Sequence, residues 1–172
     1  MANHHITIWQ MLIAAFALTT AFGDLRWRKI PRTFTISALV TGLVFHLIYG
    51  GFLSAVVAAT LGFTIGLLFF RMGAIGGGDV KLMAALGSLL GLSTWLLAMQ
   101  AAVITAALIA IVQAVRHSRV RETLANLGEL LRWLAQKGAT AHPAIHVGNA
   151  AALRAPFGVA AAVGTLVAVI HR

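Results

Sequence analysis

Cysteine is absent from this chain, and acidic residues are few. The lack of cysteine excludes a disulfide framework, a thiolate nucleophile and a cysteine-ligated zinc site. Asp and Glu number 4 against 13 Lys and Arg, and charged residues make up only 10% of the 172 residues. Hydrophobic residues make up 60%, and the mean hydropathy is +0.92. A chain with so few charged residues has too little polar surface to cover a soluble globular protein of this size. The composition therefore predicts an integral membrane protein.

Six apolar runs are candidate transmembrane helices, judged against the roughly 20 apolar residues that a crossing needs. They cover residues 6–23, 34–49, 52–70, 80–92, 94–115 and 156–170. The first run lacks the basic flank of a cleavable signal, so we expect it to remain as a span. We therefore expect an all-α polytopic membrane protein with about six transmembrane helices, forming a single integral membrane domain over residues 1–172.

The basic residues predict the orientation of the chain in the membrane. Three alternate connections hold all of them except Arg172, namely Arg26, Arg28, Lys29 and Arg32, then Arg71 and Lys81, then Arg116, Arg119, Arg121, Arg132, Lys137 and Arg154. By the positive-inside rule these connections face the cytoplasm, and both termini face the other side. The net charge of +9 also favours binding to anionic lipid headgroups. No soluble domain or aromatic-basic interleaving supports nucleic-acid binding.

The cytoplasmic connection 116–154 contains one amphipathic segment. Its apolar residues recur at helical spacing, at Val120, Leu124, Leu127, Leu131 and Leu134. Two arrangements fit this pattern: a helix lying along the headgroups, or a solvated helix packing on its own protein. His142 and His146 follow four residues apart, but the intervening Pro143 indicates a loop, so we expect surface histidines and no metal site.

Glycine pairs at helical spacing predict where the helices pack closely. Gly62 and Gly66 lie on the third run, and Gly87 and Gly91 lie on or beside the fourth. Such G-x-x-x-G pairs allow two backbones to approach each other. We therefore expect the third and fourth helices to make close contacts with their neighbours.

Only two aspartates occur, Asp24 and Asp79, and each lies where an apolar run meets a polar or glycine-rich stretch. Asp24 could serve as a counter-ion for nearby basic residues, although a carboxylate at a helix C-terminus faces the negative end of the dipole. Asp79 could serve as an N-cap. Capping does not explain the glycine run Gly76 to Gly78. Such a run lets the backbone unwind and lets another chain approach closely, and irregular backbone at membrane depth occurs only where it is buried or lines a wet cavity.

Two carboxylates at the cytoplasmic ends of their helices could meet and hydrolyse a peptide bond. In such a pair the charged member deprotonates a water, and the protonated member polarises the carbonyl and then protonates the leaving amine. Two other functions remain open on the residues alone. A proton-coupled transporter could use the same aspartates, although no internal repeat is visible, and a catalytically inactive membrane assembly subunit is the third alternative.

Three ordered motifs resemble those of the type IV prepilin peptidases, membrane aspartyl proteases of the GxGD class. GGGDVK at 76–81 is similar to the family's G-x-G-D-x-K segment, and FGDLRWRKIP at 22–31 to its first aspartate motif. RAPFGVAAAVG at 154–164 is similar to the R-x-P-[YF]-G-x-A segment that opens the last span. The short chain most resembles the minimal peptidases of Flp-type tight-adherence pili.

The resemblance implies removal of the leader peptide from prepilin-like precursors at the cytoplasmic face of a bacterial inner membrane, without a cofactor. Asp24 and Asp79 would form the catalytic dyad. Gly76, Gly78, Lys81, Pro156 and Gly158 would support the site or bind substrate. Larger members carry a cysteine-rich domain between their first two spans and also N-methylate the pilin; this chain has neither that domain nor any cysteine, so methyl transfer is doubtful. Arg32 stands where the family usually has asparagine.

Overall fold

The computed structural model describes residues 2–27, 31–138, 140, 142–143 and 156–171, and this part of the chain contains helices and no strand. The helices are α1 (Ala2–Trp27), α2 (Arg32–Tyr49), α3 (Phe52–Arg71), α4 (Gly77–Leu90), α5 (Leu92–Arg116), α6 (Val120–Lys137) and α7 (Phe157–Ile170). The predicted all-α class is confirmed. Each of the six predicted runs corresponds to one helix, and the predicted amphipathic segment corresponds to α6.

Four of these helices are long and apolar enough to cross a membrane: α2, α3, α5 and the Ile8–Arg26 part of α1. Helix α7 is a shorter apolar helix. Helices α4 and α7 have 14 residues each. At 1.5 Å per residue each is about 21 Å long, which is less than the roughly 30 Å of a bilayer's hydrocarbon core.

Helix α4 forms the interior of the fold. Residues 82–90 are all buried, and the helix packs mainly against α3 and α2. A helix that is buried on every side must be apolar or small on every side, and α4 meets this condition with leucine, methionine, alanine, glycine and one serine. Its short length is therefore compatible with the membrane, because protein rather than lipid surrounds it.

Glycines allow α3 and α4 to approach backbone to backbone. A Cβ added to Gly62 would lie 2.5 Å from the carbonyl oxygen of Met83, and one added to Gly87 would lie 2.5 Å from the carbonyl carbon of Ala58. Gly66 contacts α4 one turn further along α3. Close packing predicted for these three glycines is confirmed, because any side chain there would force the two helices apart.

Gly91 packs closely, as predicted, and also makes the turn between α4 and α5: an added Cβ would lie 3.3 Å from the hydroxyl oxygen of Ser54 on α3. Gly91 lies between the two helices with a left-handed φ of +71°, so it makes the turn. Side chains from other helices satisfy the exposed backbone groups here: the indole Nε1 of Trp9 donates to the carbonyl of Leu89 (3.2 Å), and the hydroxyl of Ser54 accepts from the amide of Leu92 (2.8 Å).

The helices form two packed groups, one of α2, α3 and α4 and the other of α1, α5 and α7. In the second group α7 lies against both α1 and α5, and Gly164 contacts the backbone of Ala98 and Ala102. Apart from α6, consecutive helices alternate in direction. The last turns of α1, α3 and α5 and the first turns of α2, α4 and α7 therefore meet at one end of the fold, which we call the aspartate end because Asp24 and Asp79 both lie there.

Candidate active site

Asp79 lies in the first turn of α4, at its third residue. The helix is preceded by Gly76, which is extended (φ −82°, ψ 158°) and occupies the N-cap position. The amide of Gly76 donates to Oδ2 of Asp79 over 3.0 Å. Asp79 is therefore not the N-cap residue that a capping explanation required. Its side chain, at the third helical position, instead accepts a hydrogen bond from the N-cap amide, as the acidic residue of a capping box does.

The three glycines before Asp79 do not provide unusual backbone angles. None of them has a positive φ, and Gly77 and Gly78 are already helical. The expectation that this run unwinds the backbone is thus wrong for these two residues. What glycine provides is space: a Cβ added to Gly78 would find no atom within 4 Å. An open surface directly before Asp79 allows another chain to come close to the carboxylate.

Asp24 lies in the last turn of α1 and is held by α7. The amide of Gly158 donates to Oδ2 of Asp24 over 2.7 Å. A Cβ on Gly158 would lie 2.7 Å from Cβ of Asp24 and 3.0 Å from its Oδ2. The two helices therefore touch at this point, and only glycine fits.

This contact offsets the unfavourable interaction between the Asp24 carboxylate and the negative end of the α1 helix dipole. The N-terminus of α7 presents free amides and a positive dipole end, which favour a carboxylate. Pro156 directly precedes α7 in an extended conformation (φ −70°, ψ 99°), so the third motif serves to start this helix beside Asp24. Among the described residues no ion pair joins Asp24 to Arg26; Arg28 and Lys29 lie outside them.

The two aspartates lie at the same end of the fold, one in each helix group. Both side chains are half-buried, and Asp24 lies close enough for its charge to act on Asp79. Two carboxyl groups at one end of the fold could together carry out acid–base hydrolysis, because one can accept a proton and the other can donate one.

Lys81 and Arg32 each follow one of the aspartates along the chain. Lys81 is half-buried two positions after Asp79, which places it on nearly the opposite side of α4. Within the part of the chain that the structure describes, no ion pair joins Lys81 to either aspartate. Arg32 is exposed at the first position of α2.

His142 differs from its prediction as a surface residue. It is only 6% exposed, with Nε2 3.2 Å from Glu129 and its ring against Trp133. His146, four residues further along the chain, lies outside the described residues. The described residues contain no group of three potential metal ligands.

Gly158 was predicted as a site residue from the sequence, but its hydrogen bond to Asp24 was not. The motif at 154–164 indicated a helix start with a proline and a glycine, and a glycine in the first turn signals an exposed amide. Nothing in the sequence indicated which carboxylate that amide would meet, because the contact joins the two ends of the chain.

Comparison with known proteins supports these motifs. The model of the type IV leader peptidase family matches residues 11–111, a segment that contains both aspartates and ends before α6. A prepilin leader peptidase/N-methyltransferase of Neisseria gonorrhoeae is 35% identical over 99 residues, which cover 51% of this chain and 34% of that protein. The match thus spans about a third of the curated relative's length. No solved structure matches.

Proposed function

We propose, since the chain belongs to the type IV leader peptidase family, that it is an aspartic endopeptidase that removes the leader peptide from prepilin-like precursors. The observation that supports this most directly is that Asp24 and Asp79, from two different helix groups, lie at the same end of the fold. Asp24 is held there by the amide of Gly158. Hydrolysis by these residues needs no cofactor.

In the proposed reaction the charged member of the dyad takes a proton from water, and the hydroxide formed attacks the scissile carbonyl. The protonated member donates a hydrogen bond to the carbonyl oxygen and then gives its proton to the leaving amine. Water is consumed, one peptide bond breaks, and a carboxylate and an amine are released. The open surface at Gly78 is where the substrate backbone would come close to Asp79.

We place the active site on the cytoplasmic face, with both termini on the other side. Basic residues cluster at the aspartate end, with Arg26, Arg71 and Arg116 in the last turns of their helices and Arg32 at the start of another. The turn residues at the opposite end, 49–52 and 90–92, carry no charge. This asymmetry is the one that the positive-inside rule associates with the cytoplasm, and it also favours anionic headgroups around the site.

The proposal covers peptide cleavage and not methyl transfer. Only four residues separate α1 from α2, so no cysteine-rich domain of the kind found in larger members lies between the first two spans.

Coexpression with a cognate prepilin precursor tests the proposal, with the precursor's electrophoretic mobility as readout. We expect cleavage by the unaltered protein and at least about a 100-fold loss with Asp24→Asn or Asp79→Asn, because acid–base groups contribute 10²- to 10⁴-fold. Glu122→Gln makes the same chemical change on the exposed face of α6 and should leave cleavage unchanged. Cleavage that survives either aspartate substitution would remove the dyad. No cleavage of any cognate precursor by the unaltered protein would instead favour an inactive assembly subunit.

A further inference from the structure

Helix α6 begins where a membrane-crossing helix ends. Helix α5 is long and apolar enough to cross the membrane and ends at Arg116. Three residues intervene, including Ser118 at φ 54°, and α6 then starts at Val120. The alternation of helix directions puts this connection at the aspartate end. The first turn of α6 is therefore tied to the level at which α5 leaves the hydrocarbon.

One face of α6 is an exposed apolar stripe, which we define as Val120, Leu124, Leu127, Leu131 and Leu134. Their side chains are 40% to 64% exposed, and no residue of α6 is buried. The fold therefore does not cover this stripe. Within the described part of the chain, this face of α6 does not pack on the other helices.

The chain's own contacts lie on another side of α6. The indole of Trp133 donates to the hydroxyl and carbonyl of Thr140, and Glu129 pairs with His142. Glu129 lies two residues from stripe positions on either side, and residues two apart lie nearly opposite each other on a helix. Thr140 and His142, which follow α6, thus contact its polar side.

Charged residues of α6 follow a pattern centred on the stripe. Arg121 and Arg132 each directly follow a stripe residue, which puts both on one flank, while Lys137 lies on the other flank. Glu122 and Glu129 both lie on the side opposite the stripe. Cations beside an apolar face and anions away from it match a membrane surface, where lipid tails meet anionic headgroups.

We propose that α6 lies in the headgroup region of an anionic bilayer on the aspartate side, with the stripe inserted toward the acyl chains and both glutamates in water. The occupant of the stripe is the lipid surface, because the stripe is continuous with a membrane-crossing helix and is bordered by basic residues. This inference goes beyond the proposed peptidase activity and does not depend on it.

The absence of cysteine makes a direct test possible, since a single introduced cysteine can carry a fluorophore sensitive to its surroundings. The full chain would be labelled at Leu127→Cys or Leu131→Cys on the stripe and, as the matched control, at Glu122→Cys on the opposite side. Each labelled protein would be reconstituted in vesicles of phosphatidylcholine with phosphatidylglycerol. Quenching would be measured with brominated lipid and with aqueous iodide.

Stripe probes should be quenched several-fold more by brominated lipid than the Glu122→Cys probe, and iodide should show the reverse order. Replacing phosphatidylglycerol by phosphatidylcholine, or introducing Arg121→Gln with Arg132→Gln, should reduce the lipid quenching of the stripe probes. Equal iodide quenching at stripe and control positions would overturn the proposal in favour of a helix standing in water. Protection of the stripe from both quenchers would overturn it in favour of a protein partner or a second copy. Lipid quenching of the stripe probes that changes neither on removal of phosphatidylglycerol nor with Arg121→Gln and Arg132→Gln would overturn the role of the arginines.

Discussion

Gly158→Ala should separate the positioning of Asp24 from the stability of the fold. The added Cβ would lie 2.7 Å from Cβ of Asp24, whereas ordinary contacts begin at 3.4 Å. The two groups must therefore move apart by at least about 0.7 Å. Because the Cβ of Asp24 is attached directly to the backbone of α1, a rotamer change cannot relieve this contact, and α1 must shift against α7.

The shift has two consequences of different size. Overpacking a tight contact costs roughly 1–3 kcal/mol of stability. A shift of about 0.7 Å would also stretch the 2.7 Å hydrogen bond from Gly158 to Asp24 beyond ordinary length. Since a misplacement of about 1 Å at a reacting group can lower the rate about 100-fold, we expect kcat to fall about 10- to 100-fold, with a smaller effect on KM.

The assay is cleavage of a precursor by the purified variant in proteoliposomes, together with thermal unfolding in the same lipid. Gly23→Ala is the matched control, since it makes the same change one residue before Asp24, where an added Cβ finds nothing within 4 Å. It should retain activity. A Gly158→Ala protein that folds and cleaves within about twofold of the unaltered protein would refute the positioning role of Gly158. Equal losses in both variants would point to a general effect near Asp24.

Three further predictions follow from the packing. Gly87→Ala would bring a Cβ within 2.5 Å of the Ala58 backbone and should lower the free energy of unfolding by roughly 1–3 kcal/mol. Its melting temperature should therefore be lower than that of the control Gly128→Ala, whose added Cβ meets open space on α6. Equal melting temperatures would contradict the close approach of α3 and α4. Trp9→Phe removes the hydrogen bond to the Leu89 carbonyl and should cost about 1 kcal/mol without changing cleavage; a large fall in kcat would show that this distant end controls the site. In Gly78→Ala the added Cβ meets no atom of the protein, so the melting temperature should not change. Cleavage should fall, because the proposed substrate backbone would occupy that space. Normal cleavage would rule out a close approach of the substrate to Gly78.

Much of the architecture could be predicted from the sequence because hydrophobic runs are a local property. The six runs marked six helices, and leucine spacing marked α6. Glycine spacing identified three of the close contacts between α3 and α4, because absence of a side chain is visible in the sequence. Gly91 likewise contacts Ser54 of α3, but its left-handed φ of +71° also makes the turn, and spacing alone does not give the end of a helix.

By itself the sequence determined that this chain is a helical membrane protein and that its two aspartates lie at helix ends on one side. Those are consequences of composition and of the order of apolar and charged residues. Only the tertiary structure decided that α4 is enclosed by its neighbours, that Asp79 bonds to the amide of Gly76, and that Asp24 bonds to the amide of Gly158. Contacts between α1 and α7 depend on how all the helices pack, because an apolar face can be buried against any of several partners.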